Sequence, residues 1–272
     1  MQEAKSMSKK KATQIYNMLE EMFMGSETVE ELEEFQEELK SACAKGFPID
    51  HIPYGEKDTL FNIVADNTLF PEVFLPSEIY EQHIQAILGV LLELGAEINH
   101  RNEDGLTSLL FCGKYPYLYD RFMYLLEHGA DPNICDNNNN DALRYFLELK
   151  VYEKDASKCS LKDLQAVVDR MTDIDRIGEG GITAIGVACD AYKLEIPSKR
   201  KAILPVLKIL LNAGANPYID NYWQYNTERL YNNMSQKDYE NGITELETFF
   251  RMYTEQKQNL YQRTVAEYEY AL

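Results

Sequence analysis

One phrase, said three times with small changes, constrains this 272-residue chain more than any other feature. Leu91-Leu92-Glu93-Leu94-Gly95-Ala96-Glu97-Ile98-Asn99 returns as Leu125-Leu126-Glu127-His128-Gly129-Ala130-Asp131-Pro132-Asn133, and again as Leu210-Leu211-Asn212-Ala213-Gly214-Ala215-Asn216-Pro217. Self-similarity at a period of a few tens of residues specifies a stack of small helical units rather than one globular core. Each phrase reads as a helix ending. The paired leucines lie on the buried stripe, and the glycine supplies the left-handed residue that closes the last turn. The alanine must be small where the chain reverses, and the Asn or Asp beyond it is expected to hydrogen-bond its own turn backbone.

Counting on from each glycine extends the pattern. Ten, twelve and fourteen residues past Gly95 stand Gly105, Thr107 and Leu109, and the same steps from Gly129 reach Asn139, Asp141 and Leu143. Asn is the usual substitute for Gly at positive φ, so Asn139 is expected to take the backbone conformation of Gly105. Two worn copies then emerge. Met171 in register puts Val167-Val168 on the double-leucine column, Asp175 on the Asn column, then Gly181, Thr183 and Ile185. Gly46 in register puts Asp50 on the Asn column and Leu60 on the inner leucine column.

Gly-Ala-Asp-x-Asn, then Asp-x-x-Gly-x-Thr-x-Leu, a helix, and Leu-Leu-x-x-Gly together resemble the ankyrin repeat, over roughly residues 27 to 235. The Thr-Pro-Leu-His of that family is absent: Thr107-Ser108-Leu109-Leu110 and Thr183-Ala184-Ile185-Gly186 stand in its place. The resemblance implies an all-α solenoid of about five helix-turn-helix repeats with flanking capping helices. Residues 1–26 would form an N-terminal helix and tail, 27–235 the repeat array, and 236–272 a C-terminal capping helix and tail.

The repeat markers stand 49, 34, 42 and 43 residues apart, against about 33 for an ankyrin repeat. The surplus falls between the two helices of a repeat, at Asp66 to Ser77, Lys150 to Lys158 and Tyr192 to Lys201. These inserts are expected to be loops or lengthened helix ends, either tolerated drift or a functional edge.

A net charge of −18 disfavours nucleic acid and anionic membranes as partners and favours a basic protein. Glu27 to Glu38 holds seven glutamates interleaved with Val29, Leu32 and Phe35. It reads as the solvent side of an amphipathic helix, with a docking surface as the alternative. Five cysteines without close pairing suggest free thiols, and with no apolar leader the chain is expected in the cytoplasm.

No Cys-x-x-Cys, His-Glu-x-x-His or Gly-x-Ser-x-Gly occurs, and Gly178-Glu179-Gly180-Gly181 lacks the Lys-Ser or Lys-Thr of a phosphate loop. His51 and His100 recur at one step past the glycine, which in this family is a structural position. No catalytic residue, metal or cofactor is expected, and the chain is expected not to be an enzyme.

In an ankyrin stack the turns project as fingers beside a face lined by the first helices. Steps six, eight, nine and eleven past each glycine face outward there, then nineteen and twenty on the helix. They give Arg101, Glu103, Asp104, Lys114 and Tyr115, then Asn137, Asn138 and Asn140, then Glu179, and last Tyr222, Trp223 and Tyr225 as candidate partner-binding residues. Trp223 is either an interface anchor or a residue packed under the C-terminal helix. The resulting expectation is a non-catalytic, monomeric module that binds and neutralises a basic protein, as an immunity or antitoxin protein does. The alternative is a secreted effector or intracellular scaffold acting on host proteins.

Overall fold

The computed structural model describes residues 7–26, 28–67, 77–152, 159–194, 197–217, 219, 241–242 and 244–255. Among these, the helices are α1 (Lys9–Met24), α2 (Val29–Ala44), α3 (Leu60–Asp66), α4 (Ser77–Glu93), α5 (Ser108–Gly113), α6 (Tyr119–Glu127), α7 (Ala142–Tyr152), α8 (Leu161–Val168), α9 (Ala184–Leu194) and α10 (Pro197–Asn212). They pair in sequence and stack in two rows. The inner row runs α1, α3, α5, α7, α9, each packed on the next. In the outer row α2 packs on α4, α4 on α6, and α8 on α10. This is the all-α solenoid of five helix pairs that the repeated phrase implies. Helix α1 packs on α3 as α3 packs on α5, through buried Tyr16, Leu19 and Phe23.

The phrase closes helices by one bond, repeated. The amide of Ala96 donates to the Leu91 carbonyl, Ala130 to Leu125, Ala215 to Leu210 and Phe47 to Ala42, each at 3.0 Å. This bond spans a left-handed residue, and Gly46, Gly95, Gly129 and Gly214 have φ between +89° and +99°. So the first leucine of each pair supplies both a buried side chain and the accepting carbonyl. Met171 shows no such φ, and its copy instead closes with shorter-range bonds from Arg170 and Met171 to Val167 and Val168.

Asp131 bonds its own turn as expected, accepting from the Asn133 amide at 2.9 Å, but the Asn or Asp column four residues past the marker also acts across repeats. Asp50 Oδ1 accepts from the Glu97 amide at 2.9 Å, and Asn99 Oδ1 from Asp131 at 2.9 Å. Asn133 Oδ1 accepts from Thr172 at 2.7 Å, and Asp175 Oδ1 from Asn216 at 2.8 Å. Each turn therefore fixes the start of the next one, which sets the spacing of successive repeats.

Inner helices start at side-chain caps. Thr59, Thr107, Asp141 and Thr183 accept from an amide three residues on, and Ser160 does the same for outer helix α8. Thr59 lies thirteen residues past Gly46, whereas Thr107, Asp141 and Thr183 lie twelve past their own markers. Phe61, not Leu60, therefore shares the column of Leu109; the extra residue is absorbed in the turn at Tyr54-Gly55. Both Leu60 and Phe61 are fully buried.

Two of the inserts are partly lengthened helix, since α7 runs on to Tyr152 and α9 and α10 are separated by residues 195–196 only. Residues 68–76 and 153–158 lie outside the described residues. The near edge of the first insert is anchored by Arg121, which is fully buried on α6. Its Nη1 donates to the carbonyls of Ala65 and Asn67 at 2.8 and 2.9 Å, capping the C-terminus of α3. Its Nε and Nη2 donate to Glu81 of α4 at 3.2 and 2.7 Å.

Beside it, Asp66 Oδ1 is sealed from solvent and accepts no hydrogen bond. Burial above all, with Asp58 adding repulsion, pushes its carboxyl from 3.8 up to about 8, against the opposing effects of Ser108 and Arg121. Because the folded state holds this proton more tightly than the unfolded one, stability falls as pH rises from about 4 to about 8. Asp66→Asn is expected to unfold at higher urea than wild type at pH 8, with the gap closing towards pH 4. A gap independent of pH would refute this role for Asp66.

At the far end, residues 244–255 are helical and bury Leu246 and Phe250, as expected of a C-terminal cap. Buried Arg200 of α10 ties that helix down through Glu245 at 3.1 Å.

Candidate functional site

Three of the turns between repeats are small fingers closed by the same backbone bond. Asn102, Asp136 and Gly178 donate to the carbonyls of Leu106, Asn140 and Ile182 at 3.0, 3.0 and 3.1 Å. The tips need left-handed backbone, which Gly105 (φ +76°), Asn139 (φ +63°) and Gly181 (φ +74°) provide. Asn139 is the sole non-glycine with positive φ among the described residues, as its register requires. No Cβ fits at Gly105, where it would meet Asn137 Oδ1 at 2.5 Å.

Neighbouring fingers are zipped together. The Asn137 amide donates to the Asp104 carbonyl at 3.1 Å and its side chain to the Glu103 carbonyl at 2.8 Å. Asn139 Nδ2 donates to the Ile177 carbonyl, and Asn140 Oδ1 accepts from the Glu179 amide at 2.9 Å. Asn140, expected to face outward, is buried instead. Step eleven carries the carbonyl that closes the finger, so its side chain turns inward, as it also does at Leu106.

Where the fingers meet the inner helices lies a cleft of about 490 Å³, lined by Asp104, Leu106, Lys114, Asp136, Asn137, Asn138, Asn140, Tyr145, Glu148 and Glu179. It brings together Asp104, Lys114, Asn137, Asn138, Asn140 and Glu179 from three successive repeats. Arg101 and Glu103 stand outside it: Arg101 Nε donates to the Gly105 carbonyl at 3.1 Å, and exposed Glu103 pairs with Lys57 at 2.9 Å. Tyr115 lies beyond the cleft in a ring stack with Phe111 and Tyr117. Tyr222, Trp223 and Tyr225 fall outside the described residues.

Asp136, Tyr145 and Glu148 are lining residues not among the candidates, and Leu106, at step eleven past Gly95, lines the cleft with them. Glu148 was within reach, being nineteen residues past Gly129 as Lys114 is past Gly95. Asp136 is the fixed charge at the base. Burial works against its ionised form, but the Tyr145 hydroxyl, the Asn140 amide and side chain, and the Asn138 amide all donate to it and hold its carboxyl below the usual range. Tyr145 is in turn pushed up, by burial first and then by Asp136. The cleft therefore presents four carboxylates, of which Glu148 is paired with Arg144 at 2.7 Å, and one lining ammonium, Lys114, whose Nζ lies 5.9 Å from the Tyr145 ring centre. Among the described residues no group of three or more His, Cys, Asp or Glu is placed to hold a metal ion, and none of the five cysteines is in a disulfide. No described helix is long and apolar enough to cross a membrane.

No family model matches the chain. Ankyrin repeat protein L92 of Acanthamoeba polyphaga mimivirus is 38% identical over 58 residues, 21% of this chain and 14% of that protein's length. Among solved structures, an ankyrin repeat domain from Acinetobacter baumannii AYE superposes with a TM-score of 0.50 at 16% identity, covering 76% of this chain and 85% of that one. A second ankyrin repeat protein gives 0.49 at 18% identity, covering 79% and 87%. The register of the phrase, the helix-closing bonds and this likeness agree on the fold: the chain folds as an ankyrin-repeat solenoid.

Proposed function

We propose that the chain is a protein-interaction module that binds, and by binding neutralises, a basic protein through the finger-side cleft. The observation that carries this reading is the cleft itself, where three repeats converge four carboxylates around Tyr145. The net charge of −18 adds a field that steers a basic partner toward it. Nothing in the cleft is arranged as nucleophile and base. The polar, aromatic lining suits recognition of a protein surface.

Capture from the native source with wild type and with Asp104→Lys/Glu179→Lys tests this. Both residues are exposed, so the fold should tolerate the change. Wild type is expected to retain a basic protein that the variant retains at least about tenfold less well. An acidic partner, or equal capture by both proteins, would overturn the reading.

A further inference from the structure

A second feature adjoins the cleft at Lys114, which lines the cleft and directly precedes Tyr115 in the chain. The rings of Phe111 on α5 and of Tyr115 and Tyr117 beyond its end form a ledge. Phe111 and Tyr115 lie 5.1 Å apart, and Tyr115 and Tyr117 stack at 5.5 Å and 29°. Tyr117 is 46% exposed and stacks on Tyr115, so part of this ledge faces solvent.

We propose that this combined surface receives an arginine on an extended segment of a protein partner, with the guanidinium in the cleft and a flanking apolar residue on the Tyr115–Tyr117 ledge. The proposal rests on the basic-partner reading above and names the group that is recognised. The argument is charge and shape together.

Both oxygens of Asp136 are already occupied by donors from its own finger and Tyr145, so it supplies a field rather than a free acceptor. Glu148 of α7 already pairs with Arg144 at 2.7 Å, so the remaining acceptors are Asp104 on one finger and Glu179 on another. A compact ammonium satisfies such a set poorly, because it is strongly hydrated and acts as a point charge. A planar guanidinium has five donors, sheds water more easily and stacks on aromatic rings. The chain already lays one cation of its own, Lys114, over the Tyr145 ring in this cleft. The space of about 490 Å³ admits an arginine side chain with room for water.

The test uses the full chain, isotopically labelled, titrated at low salt with short capped peptides that carry one central arginine, lysine or citrulline between prolines. The arginine peptide is expected to bind at least about tenfold more tightly than either of the others and to shift the amide signals of Asn138, Tyr145 and Glu179. Asp104→Asn/Glu179→Gln should weaken it about tenfold, and Tyr117→Ala severalfold without changing its salt dependence. Glu33→Gln/Glu34→Gln, which removes equal charge from the exposed side of α2, should leave it unchanged.

Equal binding of lysine or citrulline, or an equal loss in the α2 variant, overturns the arginine assignment. If the peptides fail while the native partner still depends on Asp104 and Glu179, the arginine assignment alone falls. If the arginine peptide binds as described but partner capture is indifferent to those residues, the arginine cleft stands and the proposed function falls.

Discussion

Arg121→Met is expected to lower the unfolding free energy by about 3–5 kcal/mol, the usual cost of removing one partner from a buried ion pair. The side chain is fully buried and Glu81, its partner, has a side chain only 14% exposed. Methionine would fill much of the volume but leave that carboxylate without its cation and the Ala65 and Asn67 carbonyls without a donor. Urea unfolding followed by far-ultraviolet circular dichroism measures the effect as a shift in midpoint at an unchanged slope. Arg121→Met/Glu81→Met should recover a large part of the loss, because the penalty comes chiefly from the stranded charge. A single-variant loss below about 1 kcal/mol would mean that the α3 cap and the Glu81 pair do not act as described.

Leu126→Asp should be the most damaging change in the repeated phrase. Leu126 is 2% exposed on α6, in the outer row, with Leu125 fully buried beside it. Truncating a buried leucine costs about 2–5 kcal/mol, and placing a carboxylate there adds the cost of desolvating a charge. We expect a loss of about 4 kcal/mol or more, enough to melt the central repeat and uncouple its neighbours, since each repeat is held by those beside it. Hydrogen exchange should then show protection lost from α5 to α8 before the ends of the stack. Glu127→Asp, one residue on and exposed, is the matched control and should change stability by less than about 0.5 kcal/mol.

The parts of this fold that were legible in the sequence are those fixed by local backbone geometry. A left-handed residue at a helix end or a finger tip narrows the choice to Gly or Asn, so Gly95, Gly129, Gly214 and even Asn139 declare themselves. What stayed hidden depends on a partner far along the chain. The Asn99 side chain serves the Asp131 amide in the next repeat rather than its own turn, and no local pattern distinguishes those two uses. Arg121 sits next to an aspartate at the start of a short helix, which reads as solvent-facing. Its partners at residues 65, 67 and 81 become neighbours only once α3, α4 and α6 are stacked. The cleft divides the same way. Stepping from the glycines found its rim at Asp104, Asn138 and Glu179, but misjudged Asn140, because backbone bonding within the finger decides which way that side chain turns.

The cross-repeat bonds give the stack a direction. In every case the acceptor belongs to the earlier turn and the amide to the later one, so each turn after the first requires a backbone donor two residues past the closing glycine, or one past Met171. Among the described residues no turn between repeats precedes the one after Gly46. There, two residues past Gly46, stands Pro48, the one residue type without an N–H to leave unpaired. Its carbonyl accepts from His51 at 3.0 Å as Glu97 accepts from His100 at 3.3 Å, so this part of the turn is the same. A single ring thus terminates the ladder, and a finger placed ahead of it would find nothing to hold.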